Sequence, residues 1–221
     1  GMTYAYSEKF ILVLSHDEVV HLKCSMLGKM PGEYEDKFAN LKVAYTFMMG
    51  HPGKKLLFMG QDFGQWSEWS EKRSLDWYLG EPEHKGLWAY FKALLHIYRK
   101  YPACYALDQY PEGFFWINAD DGDRSIYSFV RCSEDGKDNL LFVCNFTPVA
   151  RPDYMVGVPQ AGKYTLILDS GMKGQHIYTA VHTECDRQPY AVKYPLPAYG
   201  TAVFKFSKHT AKATKKAKKH K

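Results

Sequence analysis

Along the chain, apolar residues first come in short unbroken runs and then in helical spacing. Phe10 to Leu14 is continuous and apolar, which predicts a fully buried strand. It runs straight into Ser15-His16-Asp17-Glu18 and closes, in "ILVLSHDEVVH", with His21. After the polar, glycine-containing "KMPGEYED", Phe38, Leu41, Tyr45 and Met48 recur at spacings of three and four and predict a helix that "GHPG" ends. "KKLLFMG" predicts a second buried strand, followed by the polar and aromatic loop "QDFGQWSEWSEKRSLDWYLGEPEHKG". Leu87, Phe91, Leu94, Leu95 and Tyr98 share one face of a second helix over about residues 87–100, with "YPAC" as its stop. Strand-helix-strand-helix order implies parallel strands. Both long loops then leave the C-terminal strand ends, the edge on which α/β barrels build active sites.

Beyond residue 104 the period changes. "FFWI", "SIYSFVR", "NLLFVCNF", "YMVGVP", "KYTLILDS", "AVKYPLP" and "TAVFKFS" are short strand candidates separated by turns such as "DDGD" and "EDGKDN". That spacing predicts an antiparallel β-sandwich. The expected fold class is α/β plus all-β, with an α/β unit over residues 1–103, a sandwich over 104–207 and a basic, disordered tail over 208–221.

Composition narrows the partners. A chain of 221 residues that is 46% hydrophobic and 16% aromatic can fill a packed core. Much of the net charge of +5 sits in "SKHTAKATKKAKKHK", so the body is near neutral and a nucleic-acid footprint over it is not supported. Five cysteines without a CxxC pair argue against a disulfide framework and a zinc site, and for a reducing compartment. No run approaches the roughly 18 apolar residues of a membrane span. No secretory signal is evident, and Gly1 ahead of Met2 reads as an added residue. A cytoplasmic protein is expected.

The ionisable cluster after the first strand is the candidate chemistry. If the strand persists, Asp17 and Glu18 point to opposite faces, so one enters a cavity and the other supports it from behind. A carboxylate in such a place is also often a helix cap or a loop ion pair. His16 and His21 lack a repeated ligand spacing and the motif is not HExxH, so no metal is expected.

The stretch "SHDEVVHLKCSMLGKMPGEYEDKFANLKVAYTFMMGHPGKKLLFMGQDFGQWSEW", followed by "SLDW", strongly resembles the bacterial 1,4-α-glucan (glycogen) branching enzymes of the α-amylase superfamily, in their C-terminal portion. The resemblance continues through "GFFWI", "NFTP", "VGVPQAGKY" and "YPLPAYGTAVF" to Phe206. It implies the last two βα units of a (β/α)8 catalytic barrel followed by a C-terminal β-sandwich, with residues 11–14 as the seventh barrel strand and 56–59 as the eighth. Asp17 matches the carboxylate that hydrogen-bonds the donor sugar and stabilises the transition state, and His16 matches the histidine on the same sugar. Glu18, His21 and Asp62 would support them from behind.

Two departures stand out: Leu22 where the family usually has glycine after the second histidine, and Asp62 where it usually has glutamate. The nucleophile and the acid/base, which a retaining reaction needs about 5–5.5 Å apart, lie on family strands that precede everything present here. The fragment alone is therefore expected to be inactive, and to need the N-terminal part of the barrel as its partner. The substrate implied is an α-glucan such as glycogen or amylose, with no organic cofactor and no metal. Trp66 is a candidate for stacking on a sugar ring, and Trp77 for packing. Trp88 is expected in the core, and Trp116 in the sandwich core or between domains. Alternatives are an α-glucan hydrolase of the same superfamily and a non-catalytic glucan-binding or assembly module. Nucleic-acid binding by the lysine tail is a weaker alternative still.

Overall fold

The computed structural model describes residue 2 and residues 5–208. The basic tail expected from 208 onward lies, apart from Lys208, outside the described residues. Strand β1 (Ile11–Leu14) pairs in parallel with β2 (Lys54–Leu57), with Val13 opposite Leu56 and Leu14 opposite Leu57. Helix α1 (Tyr34–Gly50) connects them, and α2 (Pro82–Lys100) follows. Both helices end where a proline is near, at His51 before Pro52 and at Tyr101 before Pro102, which cannot continue the ladder.

Eight antiparallel strands follow: β3 (Phe114–Asn118), β4 (Ile126–Arg131), β5 (Asn139–Asn145), β6 (Arg151–Val158), β7 (Lys163–Asp169), β8 (His176–Thr179), β9 (Tyr190–Leu196) and β10 (Thr201–Phe206). Six form one sheet in the order β3-β4-β5-β10-β7-β8, and β6 pairs with β9 in a second. All seven predicted strands are present. β8 is an addition: its "HIYT" is mostly exposed at the sheet edge and has too little apolar alternation to announce itself.

The large sheet is covered on both faces. Val130, Leu141, Val143, Leu166 and Phe204 point toward Val156, Val158, Val192 and Leu196 of the smaller sheet. Their neighbours Phe129, Phe142, Leu168 and Val203 point the other way, into one core with Leu41, Tyr45, Leu87, Tyr90 and Leu94 of the two helices. Two-sided burial explains why β5 is buried at every position and reads as an almost unbroken apolar run. It also means that the helices and the sandwich share a core across the boundary placed at residue 104. Gly50 at the end of α1 makes that contact close: a Cβ there would lie 2.8 Å from the rings of both Phe129 and Phe142.

Two polar links cross the same junction. Tyr90 Oη lies 2.7 Å from Thr46 Oγ1 and 2.6 Å from Thr201 Oγ1, so one hydroxyl relay joins α1, α2 and β10. Arg131, fully buried, donates to Asp108 Oδ1 at 2.6 Å, to the Gly50 carbonyl at 3.0 Å and to the Gly113 carbonyl at 3.3 Å. Trp116 packs between the units, with Phe47 and His51 on one side and Phe114 and Phe129 on the other.

Three expectations are corrected. β1 and β2 are buried on one face only: Leu14 and Leu57 pack on the helices, while Ile11, Val13 and Leu56 are exposed. A two-stranded parallel sheet has no further strands to cover that second face. Trp88 and Leu95 are exposed, because they sit one position past Leu87 and Leu94 and are turned off the buried stripe. Finally, the chain leaves the extended conformation after Ser15, in the tight turn His16–Glu18, so strand alternation does not decide where Asp17 and Glu18 point.

All five cysteines are unpaired thiols. Burial pushes Cys104 up to about 12, which leaves it protonated and unreactive. Among the described residues no helix is long and apolar enough to cross a membrane.

Candidate active site

The rim begins where β1 ends. Ser15 caps a single 3-10 turn, His16–Glu18, by accepting the Asp17 backbone N–H at 3.2 Å. Its hydroxyl also donates to Asp17 Oδ2 at 3.4 Å, while His16 Nε2 lies 3.3 Å from Asp17 Oδ1. Each carboxylate oxygen thus has one local contact, and the side chain still stands 69% exposed. The His16 ring lies against Phe58, 5.9 Å between centroids, and Trp69 closes edge-on over the other part of Phe58 at 5.2 Å. Phe58 directly follows β2, so the two strand ends jointly fix the imidazole.

Glu18 turns away to Lys29, whose ammonium lies 4.0 Å from its carboxylate and donates to its backbone carbonyl. Lys23 donates to the Asp17 carbonyl at 2.7 Å, which puts a positive charge beside the turn.

On either side of Lys23 the backbone is strained. His21, Leu22 and Cys24 have φ of 57°, 66° and 62°, in the left-handed region that costs an L-residue about 1–2 kcal/mol. Leu22, where the resemblance implies glycine, is thus one of three residues here in a backbone conformation that glycine adopts without cost. The strain is held by Glu68, whose carboxylate accepts the backbone N–H groups of Leu22 at 3.2 Å and Cys24 at 2.7 Å. The loop after β2 thereby clamps the loop after β1. The Trp69 backbone N–H adds to this by donating to the Val19 carbonyl at 3.0 Å.

Glu68 was not singled out from the sequence. Its partners are backbone groups 44 and 46 residues away, and a lone glutamate in "SEW" carries no signal of that.

Trp66 is half-exposed and lies 6.0 Å from the Tyr34 ring at the start of α1. Asp62 follows Gln61, whose amide donates to the Leu14 carbonyl at 3.3 Å, and its charge adds to the burial that pushes the Tyr45 hydroxyl up. Trp77 is exposed and stacks on Phe63. Among the described residues, no hydrogen bond, ion pair or ring contact joins Asp17 to Glu18, His21, Asp62 or Trp66. The structure brings His16 and Asp17 together and joins none of the other candidates to Asp17. No group of three or more metal-ligating side chains is present among the described residues.

Residues 116–207 match the family described as Alpha amylase, C-terminal all-beta domain. The 1,4-alpha-glucan branching enzyme of Butyrivibrio fibrisolvens is 56% identical over 215 residues, covering 93% of this chain and 34% of that protein. The enzyme of the same name from Gloeobacter violaceus is 44% identical, covering 93% of this chain and 29% of its own length. The chain thus spans about a third of the length of the curated relatives it matches.

Among solved structures, the alpha-amylase from H. orenii superposes with a TM-score of 0.56 at 18% identity, over 89% of this chain and 39% of that one. Pullulanase type I from Bacillus subtilis superposes with a TM-score of 0.61 at 12% identity, over 90% of this chain and 27% of that one. At such identities the likeness speaks for fold alone. By sequence, the chain corresponds over nearly all of its length to the C-terminal portion of the bacterial 1,4-alpha-glucan branching enzymes, within the α-amylase superfamily.

Proposed function

We propose that this chain supplies one side of the active site of a 1,4-α-glucan branching enzyme, an enzyme of cytosolic glycogen synthesis. In that reading β1 and β2 are the last two strands of a (β/α)8 barrel. The intact enzyme cleaves an α-1,4 bond, keeps the chain as a covalent glycosyl intermediate, and transfers it to a 6-hydroxyl of an acceptor glucan. Asp17 accepts hydrogen bonds from hydroxyls of the sugar whose ring gains positive charge. These bonds strengthen as the oxocarbenium character develops, so they lower the barrier rather than merely bind substrate. His16 holds the same sugar, and Trp66 offers a ring face to a neighbouring one.

The observation that carries this reading is the posture of Asp17. It is oriented by one contact on each oxygen, lies at the C-terminal end of a parallel strand, and is largely exposed. The apolar face of Ile11, Val13 and Leu56 supports a partner built of further strands, the N-terminal part of the barrel. The nucleophile and the acid/base belong to that partner.

The test is to treat amylose with the purified chain alone and with the chain combined with the remainder of a branching enzyme. New α-1,6 linkages are expected only in the combination. Asp17→Asn should lower kcat there by roughly 10²–10³-fold, the range found when a group that stabilises transition-state charge is removed. Linkage formation by the chain alone would overturn the division of labour. New reducing ends without α-1,6 bonds would favour a hydrolase.

A further inference from the structure

The segment that carries Glu68 is fixed from behind before it reaches the rim. The Ser67 N–H donates to the buried Asp76 carboxylate at 2.9 Å, and the Ser67 carbonyl accepts the Gln65 side-chain amide at 3.1 Å. Asp76 gives its own backbone N–H to Gln65 Oε1 at 3.2 Å, which ties these buried groups to one another. The Glu68 carbonyl accepts Arg73 Nη2 at 2.6 Å. From this platform the carboxylate offers one oxygen to each partner, Oε2 to the Leu22 N–H and Oε1 to the Cys24 N–H. Bonds to an ionised acceptor are the strong ones.

Those two N–H groups flank a single residue. Lys23 stands between them, and its own N–H donates to the Val20 carbonyl at 3.4 Å, so the N–H groups of Leu22, Lys23 and Cys24 are all engaged. The Lys23 side chain reaches back to donate to the Asp17 carbonyl at 2.7 Å. The bonds that close the turn run from the Glu18 N–H to the Ser15 carbonyl and from the Val19 N–H to the His16 carbonyl. The peptide after Asp17 is tied by Lys23.

The left-handed backbone shows that this posture is imposed. His21, Leu22 and Cys24 are not glycine, and such conformations persist only where the surroundings hold them. With the carboxylate gone, the segment relaxes, the Lys23 main chain moves with it, and its ammonium leaves Asp17. A group that fixes the geometry of a reacting residue acts on the barrier more than on binding.

We propose that Glu68 is a positioning residue for Asp17 and that it acts through Lys23. The proposal rests on the role given to Asp17 above. Glu68 makes no contact with the sugar; it sets where the Asp17 carboxylate stands. Trp69, next in the chain, does the same for the His16 ring through Phe58.

The first part of the test uses the purified 221-residue chain and NMR. The Glu18 amide shares its peptide with the Asp17 carbonyl, so its nitrogen shift reports the bond from Lys23. Lys23→Met and Glu68→Ala should move that signal in the same direction, and the double variant should move it no further than Lys23→Met alone. Glu68→Gln keeps one acceptor oxygen and should fall between Glu68→Ala and the parent; it carries the same test should Glu68→Ala fail to fold. A Glu18 signal that the Glu68 variants leave in place would overturn the proposal. So would displacements that simply add in the double variant.

The second part measures branching of amylose by the chain combined with the remainder of a branching enzyme. Glu68→Ala and Lys23→Met should each lower kcat about tenfold, with KM for amylose within about twofold of the parent. The two together should do no worse than either alone, whereas losses that multiply to about a hundredfold would mean independent action and overturn the proposal. A raised KM with kcat unchanged would also overturn it, because the loop would then serve binding. Asp17→Asn without effect on kcat, alongside the shared Glu18 shift, would instead sink the catalytic role of Asp17 and leave its tether to Glu68 standing.

Discussion

Asp17 and Asp108 are both carboxylates with a nitrogen base within hydrogen-bonding reach, yet the molecule uses them in opposite ways. Asp17 keeps its oxygens in solvent and takes only local contacts from Ser15 and His16. Asp108 is buried against Arg131, with Lys54 at 3.6 Å on its other oxygen, and joins the β-sheet to the end of α1. An exposed polar contact contributes little and leaves its members available, whereas a buried ion pair is costly to disturb. The rim is therefore free to change partners, and the junction is not.

The largest effect should come from breaking the junction. Arg131→Ala leaves Asp108 buried beside three lost contacts and should cost about 3–5 kcal/mol in urea unfolding. Replacing both, Arg131→Met with Asp108→Leu, should recover most of the loss. A cost no larger than that of a rim substitution would erase the contrast drawn above.

A second effect concerns Lys55, on the half-buried side of β2, whose ammonium reaches the His51 and Gly53 carbonyls. Burial is the main cause that lowers it from 10.5 to about 7, opposed by Asp108 and helped by Arg131 and Lys54. Between those values the unfolded chain holds the proton and the folded one does not, so stability rises with pH across the window. The slope is at most about 1.4 kcal/mol per pH unit. Chemical denaturation at pH 7 through 9.5 should show that rise in the parent and a flatter profile in Lys55→Met. Parallel profiles would mean that the side chain is hydrated in the folded state.

The smallest effect belongs to the rim. Leu22 is 95% exposed and strained, so Leu22→Gly relieves the left-handed backbone but adds unfolded-state entropy. A net gain of about 0.5–1 kcal/mol is expected in thermal unfolding. A loss would show that the leucine makes a contact worth more than the strain.

Much of the fold could be read before any coordinates. Both helices and seven of the eight sandwich strands follow from periodicity, because their partners lie in the same chain and burial matches pattern. The misreadings share one cause. Phe10 to Leu14 and "KKLLFMG" have the composition of strands buried on both faces, but only one face is covered here. A run of apolar residues announces what a strand is suited to meet, not whether that neighbour is present.

The candidate site divides similarly. His16 and Asp17 are legible through the resemblance, and so is the departure at Leu22, where it implies glycine. The Glu68 clamp depends on contacts between distant loops, for which single residue types give no hint.

The hydroxyl relay through Tyr90 bears on how the two halves move. Thr46, Tyr90 and Thr201 sit on three different elements and share one chain of short bonds. Tilting the helix pair against the sandwich would stretch that chain before it displaced any apolar side chain. The all-β part is accordingly tied to the helices that support the rim by a polar link as well as by the shared apolar core.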